Sequence, residues 1–169
     1  SKPTNADWQK LKRLAGYLLG KPRLVIKCKW QDAQSLVTAN SDSDWAGDRR
    51  TRKSTSGGVW MLGAHCTKTW SNSHGAYALS SAEADLYGMV EGATRAKGLR
   101  TLAYEFGFRS LKNVIRLGTD SSAAKSFVSR RGLGKLRQLE IRDLSLQADV
   151  QPGRLEVHKV RVDQKPPDR

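Results

Sequence analysis

Residues 80–107, running Ser80-Ser81-Ala82-Glu83-Ala84-Asp85-Leu86-Tyr87-Gly88-Met89-Val90 and on to Phe106-Gly107, decide how the chain is read. Leu86, Met89, Val90, Ala93, Ala96, Leu99, Ala103 and Phe106 recur at steps of three or four, the spacing of one face of an α-helix. Gly107 is placed to end it, because glycine enters the left-handed conformation of a helix terminus without a Cβ penalty. No other segment carries so long a helical pattern, and the segments on either side are read outward from it.

Upstream, 35–43 is alternating and β-branched enough for a strand, and 57–62 with 65–70 read as a hairpin about Gly63-Ala64. Residues 24–30 alternate through Ile26, Cys28 and Trp30 and predict a further short strand, whereas 49–53 form a solvated basic loop. At the start, Thr4 or Asn5 can cap an amphipathic helix with Trp8, Leu11, Ala15, Leu18 and Leu19 on one stripe, stopped by Gly20 and Pro22. Downstream come a buried strand at 113–119, a short helix at 122–129, an amphipathic helix at 136–148 and a last strand at 155–162. Three strands, a helix, a strand, helices and a strand describe an α/β fold with a mixed sheet flanked by helices.

A chain of 169 residues, 38% hydrophobic, suffices for one well-buried domain and a short appendage. The division expected is a link at 1–33 and a domain at 34–169. Thirty Lys and Arg against sixteen Asp and Glu give a net charge of +14, which favours a polyanionic partner. Cys28 and Cys66 lack metal-site spacing and point to reduced thiols in an intracellular protein. No apolar run approaches the roughly 20 residues of a membrane span, and no signal peptide is visible. A start at Ser1-Lys2-Pro3 and an end at Pro166-Pro167-Asp168-Arg169 are what a piece of a longer polypeptide would show. Zinc-protease, serine-hydrolase and nucleotide-loop motifs are absent, so chemistry based on them is excluded.

Four carboxylates stand out: Asp42 at the end of a strand, Glu83 at the start of the long helix, Asp120 after the fourth strand, and Asp168. Carboxylates gathered within a basic chain suit hard cations such as magnesium, which take oxygen ligands and serve phosphate chemistry. Structural duties compete for each. Ser80-Ser81-Ala82-Glu83 also fits a capping box, Asp120 could cap the helix after it, and Asp168 could be a solvated tail charge. Asp42 shares its turn with Asp44 and Asp48, a crowding best tolerated beside cations.

Ser41-Asp42-Ser43-Asp44-Trp45-Ala46-Gly47, Ser54-Thr55-Ser56-Gly57 and Ala78-Leu79-Ser80-Ser81-Ala82-Glu83-Ala84 closely resemble the ribonuclease H domain of copia-type retrotransposon polyproteins. The resemblance continues through Thr119-Asp120-Ser121-Ser122-Ala123, Glu140-Ile141-Arg142, Val160-Arg161 and Pro166-Pro167-Asp168, covering about residues 35–169. It implies a ribonuclease H-like five-stranded mixed sheet whose first three strands are antiparallel, and a C-terminal helix truncated here. It implies that residues 1–33 link to a preceding reverse transcriptase domain of the same polyprotein. It also implies hydrolysis of the RNA strand of RNA/DNA hybrids by two Mg²⁺ ions, with Mn²⁺ substituting, in cytoplasmic retrotransposon particles. Asp42, Glu83, Asp120 and Asp168 would be the ligands, with Asp163 as substitute for the last. Arg49, Arg50, Arg52, Lys53, Ser81 and Ser121 would contact nucleic acid, together with basic residues of 130–137. Pro167 and Gln138 depart from the family, which has a small residue and a histidine there. The alternative is a weakly active or inactive nucleic-acid-binding module of the same fold. An integrase-like nuclease would place its glutamate after both aspartates, against the order seen here.

Overall fold

The computed structural model describes residues 3–23, 25–109, 111, 114–130 and 141–160, with backbone alone for 141–143. The chain falls into two compact units, Ser1–Trp30 and Gln31–Arg169. The first holds helix α1, Asn5–Gly20. Thr4 caps it by accepting from Asp7 N–H at 3.3 Å, while Asp7 accepts in return from Thr4 N–H at 3.0 Å. The strand expected at 24–30 is not formed: 25–30 has no regular structure, and Trp30 is 95% exposed. Alternation alone cannot hold a strand that has no partner for its backbone groups.

The second unit runs β1 (Val37–Ser43), β2 (Thr55–Leu62), β3 (His65–Ser73), α2 (Ser81–Glu105), β4 (Ile115–Thr119), α3 (Ser122–Ser129), α4 (Ile141–Val150) and β5 (Leu155–Lys159). The strands form one sheet in the order β3-β2-β1-β4-β5. β1 pairs antiparallel with β2, and β2 with β3, whereas β1–β4 and β4–β5 are parallel. This is the expected ribonuclease H-like mixed sheet. Part of the helix expected at 136–148, and the end of the strand expected at 155–162, lie outside the described residues.

The hairpin turns where expected. Gly63 has φ 60°, as the first position of a type II′ turn requires. Gln31 clamps the turn, donating to Leu62 O at 2.8 Å and accepting from Ala64 N–H at 2.9 Å. The core lies between the sheet and α2: Val37, Ala39, Trp60 and Trp70 meet Leu86, Met89, Ala93 and Ala96, with Ile115, Leu117, Phe127, Leu146 and Leu155 completing it. Trp60 and Trp70 stack at 4.7 Å between centroids.

How α2 approaches the sheet determines the site. Ala84, Gly88, Gly92 and Ala96 recur every fourth residue and are buried. A Cβ on Gly88 would lie 3.0 Å from Ser56 Oγ and 3.5 Å from Asp42 O, and one on Gly92 would lie 3.4 Å from Leu117 and Ser41. The missing side chains let the first turns of α2 settle directly on the end of β1.

Candidate active site

Alternation splits β1 between two faces. Val37, Ala39 and Ser41 are buried, whereas Asp42 is exposed at the strand's end. The last parallel pair of β1 and β4 is Asn40 with Gly118, so Asp42 and Asp120 each stand two residues beyond it, on neighbouring strands. Both line a cleft of about 370 Å³, together with Ser43, Asp44, Thr55, Gly57 and Val160. Asp120 does not cap α3. Ser121 does so, accepting from Ala124 N–H at 3.2 Å.

Glu83 is turned elsewhere. One carboxylate oxygen accepts from Leu79 N–H at 2.8 Å and the other from Tyr87 Oη at 2.7 Å. Ser80 accepts from Glu83 N–H at 3.2 Å, closing the start of α2 as a variant of the capping box. The Tyr87 ring stands edge-on to His74 at 5.6 Å, and His74 is hydrogen-bonded to Ser56, so Glu83 belongs to a buried polar chain.

The helix carboxylate that faces the other two is Asp85. Ser43 Oγ donates to Asp85 Oδ1 at 2.9 Å, and Ser121 donates to the same carboxylate. Burial raises the Asp85 carboxyl above its ordinary range; the two serine hydrogen bonds oppose this, and the charges of Asp120 and Asp42 add to it. Such mutual repulsion marks three carboxylates sharing one neighbourhood. Asp85, which the sequence reading did not single out, thus joins Asp42 and Asp120 in this neighbourhood, on the face of α2 that Ala84, Gly88 and Gly92 bring against the sheet. That four-residue spacing of small side chains was the signal in the sequence for Asp85.

Hydroxyl and carboxylate oxygens are the donors a hard divalent cation takes, and a cation would offset the repulsion at Asp85. Among the described residues, however, no three His, Cys, Asp or Glu side chains are gathered closely enough to hold a single ion. Asp168, Asp163 and Gln138 lie outside the described residues.

Next to the cleft, the 44–53 loop is braced from inside. Asp44 accepts from Thr55 N–H and fills the space a Cβ on Gly47 would need. Asp48 accepts from Arg50 N–H at 2.9 Å, Thr51 N–H at 3.2 Å and Thr51 Oγ1 at 2.6 Å. Those bonds, led by the Thr51 hydroxyl, hold its carboxyl below the ordinary range. Ala46 and Arg52 sit at φ 53° and 57°, where side chains other than glycine are strained. Arg49, Arg50 and Arg52 are exposed and Lys53 is half-buried. Ser81, exposed, opens α2 beside its cap. Arg130 is exposed, and the remaining basic residues expected at 131–137 lie outside the described residues.

Fold, strand order and carboxylate-lined cleft define a ribonuclease H-like domain. The chain is 35% identical over 107 residues to the retrovirus-related Pol polyprotein from transposon RE1 of Arabidopsis thaliana, which covers 63% of this chain and 7% of that polyprotein. By sequence the chain is a relative of copia-type retrotransposon Pol polyproteins, and by fold it is ribonuclease H-like. It spans about 7% of the length of those transposon relatives. It is also 34% identical over 96 residues to secreted RxLR effector protein 161 of Plasmopara viticola, covering 57% of this chain and 67% of that protein. Among solved structures, a foamy viral protease-reverse transcriptase in complex with double-stranded DNA shares the fold at 12% identity, with a TM-score of 0.55 over 95% of this chain and 27% of that one. No protein-family model matches the chain.

Proposed function

We propose that this domain is a metal-dependent endonuclease that hydrolyses the RNA strand of RNA/DNA hybrids during reverse transcription, leaving 5′-phosphate and 3′-hydroxyl ends. The observation that supports this reading is that Asp42 and Asp120 line one cleft at the end of β1 and that their charges reach Asp85, whose carboxyl is raised chiefly by burial. Asp42, Asp120 and Asp85 would hold Mg²⁺ or Mn²⁺, with Asp168 as the further ligand of a two-ion site. When bound, the ions supply a water of lowered pKa and neutralise charge at the phosphate.

The chain's own side chains prepare the cleft. Ser43 and Ser121 fix the rotamer of Asp85 by donating to it, and Ser121 ties that carboxylate to the first turn of α3. Ser43 N–H donates to Asp42 Oδ1 at 3.0 Å and restrains the first carboxylate in turn. Asp85 keeps its proton to a higher pH than an ordinary carboxylate, so the fully charged site forms, and activity rises, as pH climbs through that value. Arg49, Arg50, Arg52 and Lys53 would take the phosphates beside the cleft. Hydroxyl contacts in the minor groove would tell RNA from DNA. Partners on this reading are the hybrid and the reverse transcriptase domain of the same polyprotein, to which residues 1–33 would link, in cytoplasmic retrotransposon particles.

The second reading is a weakly active or inactive nucleic-acid-binding module. Its support is that no three described side chains gather closely enough to hold one ion. A gel assay of end-labelled RNA in a hybrid, with Mg²⁺, Mn²⁺ or chelator, separates the two. Metal-dependent shortening of the RNA alone, abolished in Asp42→Asn, is expected. Hybrid binding without cleavage under any metal would leave the binding module.

A further inference from the structure

The loop after β1 and the loop before α2 present two aromatic rings to solvent. Trp45 is 55% exposed, yet its only polar side-chain group is satisfied internally: indole Nε1–H donates to Ala78 O at 3.1 Å. The ring is therefore held in one orientation by the protein rather than by water. Ala46, beside it, is in the left-handed region, and its N–H donates to the buried Ser54 Oγ at 3.0 Å. Tyr77, adjacent to Ala78, is 60% exposed, and Lys53 Nζ lies 6.0 Å over its ring. Exposed Arg49, Arg50 and Arg52 leave the same loop as Trp45 and Lys53.

We propose that Trp45 and Tyr77 form a stacking platform for unpaired nucleobases, with Lys53 and the loop arginines on the flanking phosphates. Bases offer faces to aromatic rings only where they are unpaired, so the ligand is a single strand, such as one continuing beyond a hybrid. An orientation fixed in advance and a strained loop suit a rigid contact of this kind. Charge and aromatic surface together select the occupant. The basic, aromatic rim adjoins a cleft lined by Asp42, Asp44 and Asp120. The basic residues favour any polyanion and the cleft repels one, an acidic peptide and a nucleic-acid strand alike, but only the strand also brings bases to stack on the two exposed rings. The proposal rests on the nuclease reading only for the source of the strand.

The test uses the whole chain in chelator, where no cleavage occurs, and fluorescence anisotropy of a labelled oligothymidylate of about 15 nucleotides. Trp45→Leu and Tyr77→Leu are each expected to weaken binding by about tenfold without changing its dependence on salt, and Trp45→Phe to recover part of the loss. An abasic strand of equal length should bind the unaltered protein about tenfold more weakly, a comparison that needs no variant to fold. Equal affinity for abasic and oligothymidylate strands, or Leu variants that remain folded and bind within about twofold of the original, would overturn the platform. Polyglutamate binding as tightly as oligothymidylate would overturn it in favour of an acidic protein partner. The outcomes also separate the two readings. Hybrid cleavage without a base-dependent platform removes the platform alone, and a working platform without cleavage removes the nuclease alone.

Discussion

Glu83 and Asp85 leave one turn of α2 about 200° apart, since each residue advances the helix by roughly 100°. One faces Leu79 and Tyr87, the other the strand end. Two substitutions should therefore diverge. Asp85→Asn is expected to lower hybrid cleavage by at least about 100-fold while leaving the fold intact. Its folded-state carboxyl is raised, so its contribution to stability is complete below the ordinary carboxylate value of about 3.9 and is lost as pH rises through the folded value. Removing the charge should then raise Tm at neutral pH and flatten that part of the pH profile, as a melting series will show. Glu83→Gln is expected to do the reverse, keeping cleavage within about tenfold and costing about 1–2 kcal/mol in urea unfolding, because one of two buried acceptor bonds is removed. Cleavage abolished in a stable Glu83→Gln protein would restore Glu83 to the metal site.

Among the elements, glycine sets the limits. Gly58 lies in the middle of β2, where a Cβ would run into the Trp70 ring and the Asn40 carbonyl. The ring is held in its stack with Trp60, and the carbonyl is part of β1, so neither can yield cheaply. Gly58→Ala is expected to cost about 2–4 kcal/mol, measured as a shift of the urea midpoint. Much of this architecture is legible in the sequence: α2 from its periodicity, the hairpin from Gly63-Ala64, and α3 at its observed limits. Residues 24–30 mislead because alternation reports a pattern and not a partner. Asp42 and Asp120 can be singled out from their places at strand ends, since a strand's last residues are where a parallel sheet opens to ligands. Asp85 escapes because a helix face is fixed by what packs against it, and large apolar residues are the louder but less accurate guide where glycines make the closest approach.

For the molecule as a whole, charge would govern the proposed encounter with nucleic acid. A net charge of +14 predicts that hybrid binding weakens steeply with salt, log K falling linearly with log salt. Replacing Arg49, Arg50, Arg52 and Lys53 together by Ala should reduce the slope by about 0.9 for each phosphate that is no longer neutralised, read from a salt titration. An unaltered slope would show that this loop faces away from the duplex.

The parallel seam between β1 and β4 also fixes an order of events in folding. β1, β2 and β3 are neighbours in sequence and in the sheet, so their pairing closes only short loops, whereas β4 reaches β1 only after the hairpin and the whole of α2 have been placed. Pulse-labelled hydrogen exchange during refolding should therefore protect amides of Thr55–Ser73 before those of Ile115–Thr119, and simultaneous protection would refute this order. Asp42 and Asp120 sit on opposite sides of that later seam. A chain emerging from the ribosome thus carries each carboxylate apart from the other until β4 docks on β1, and whatever chemistry they share is withheld from every shorter intermediate.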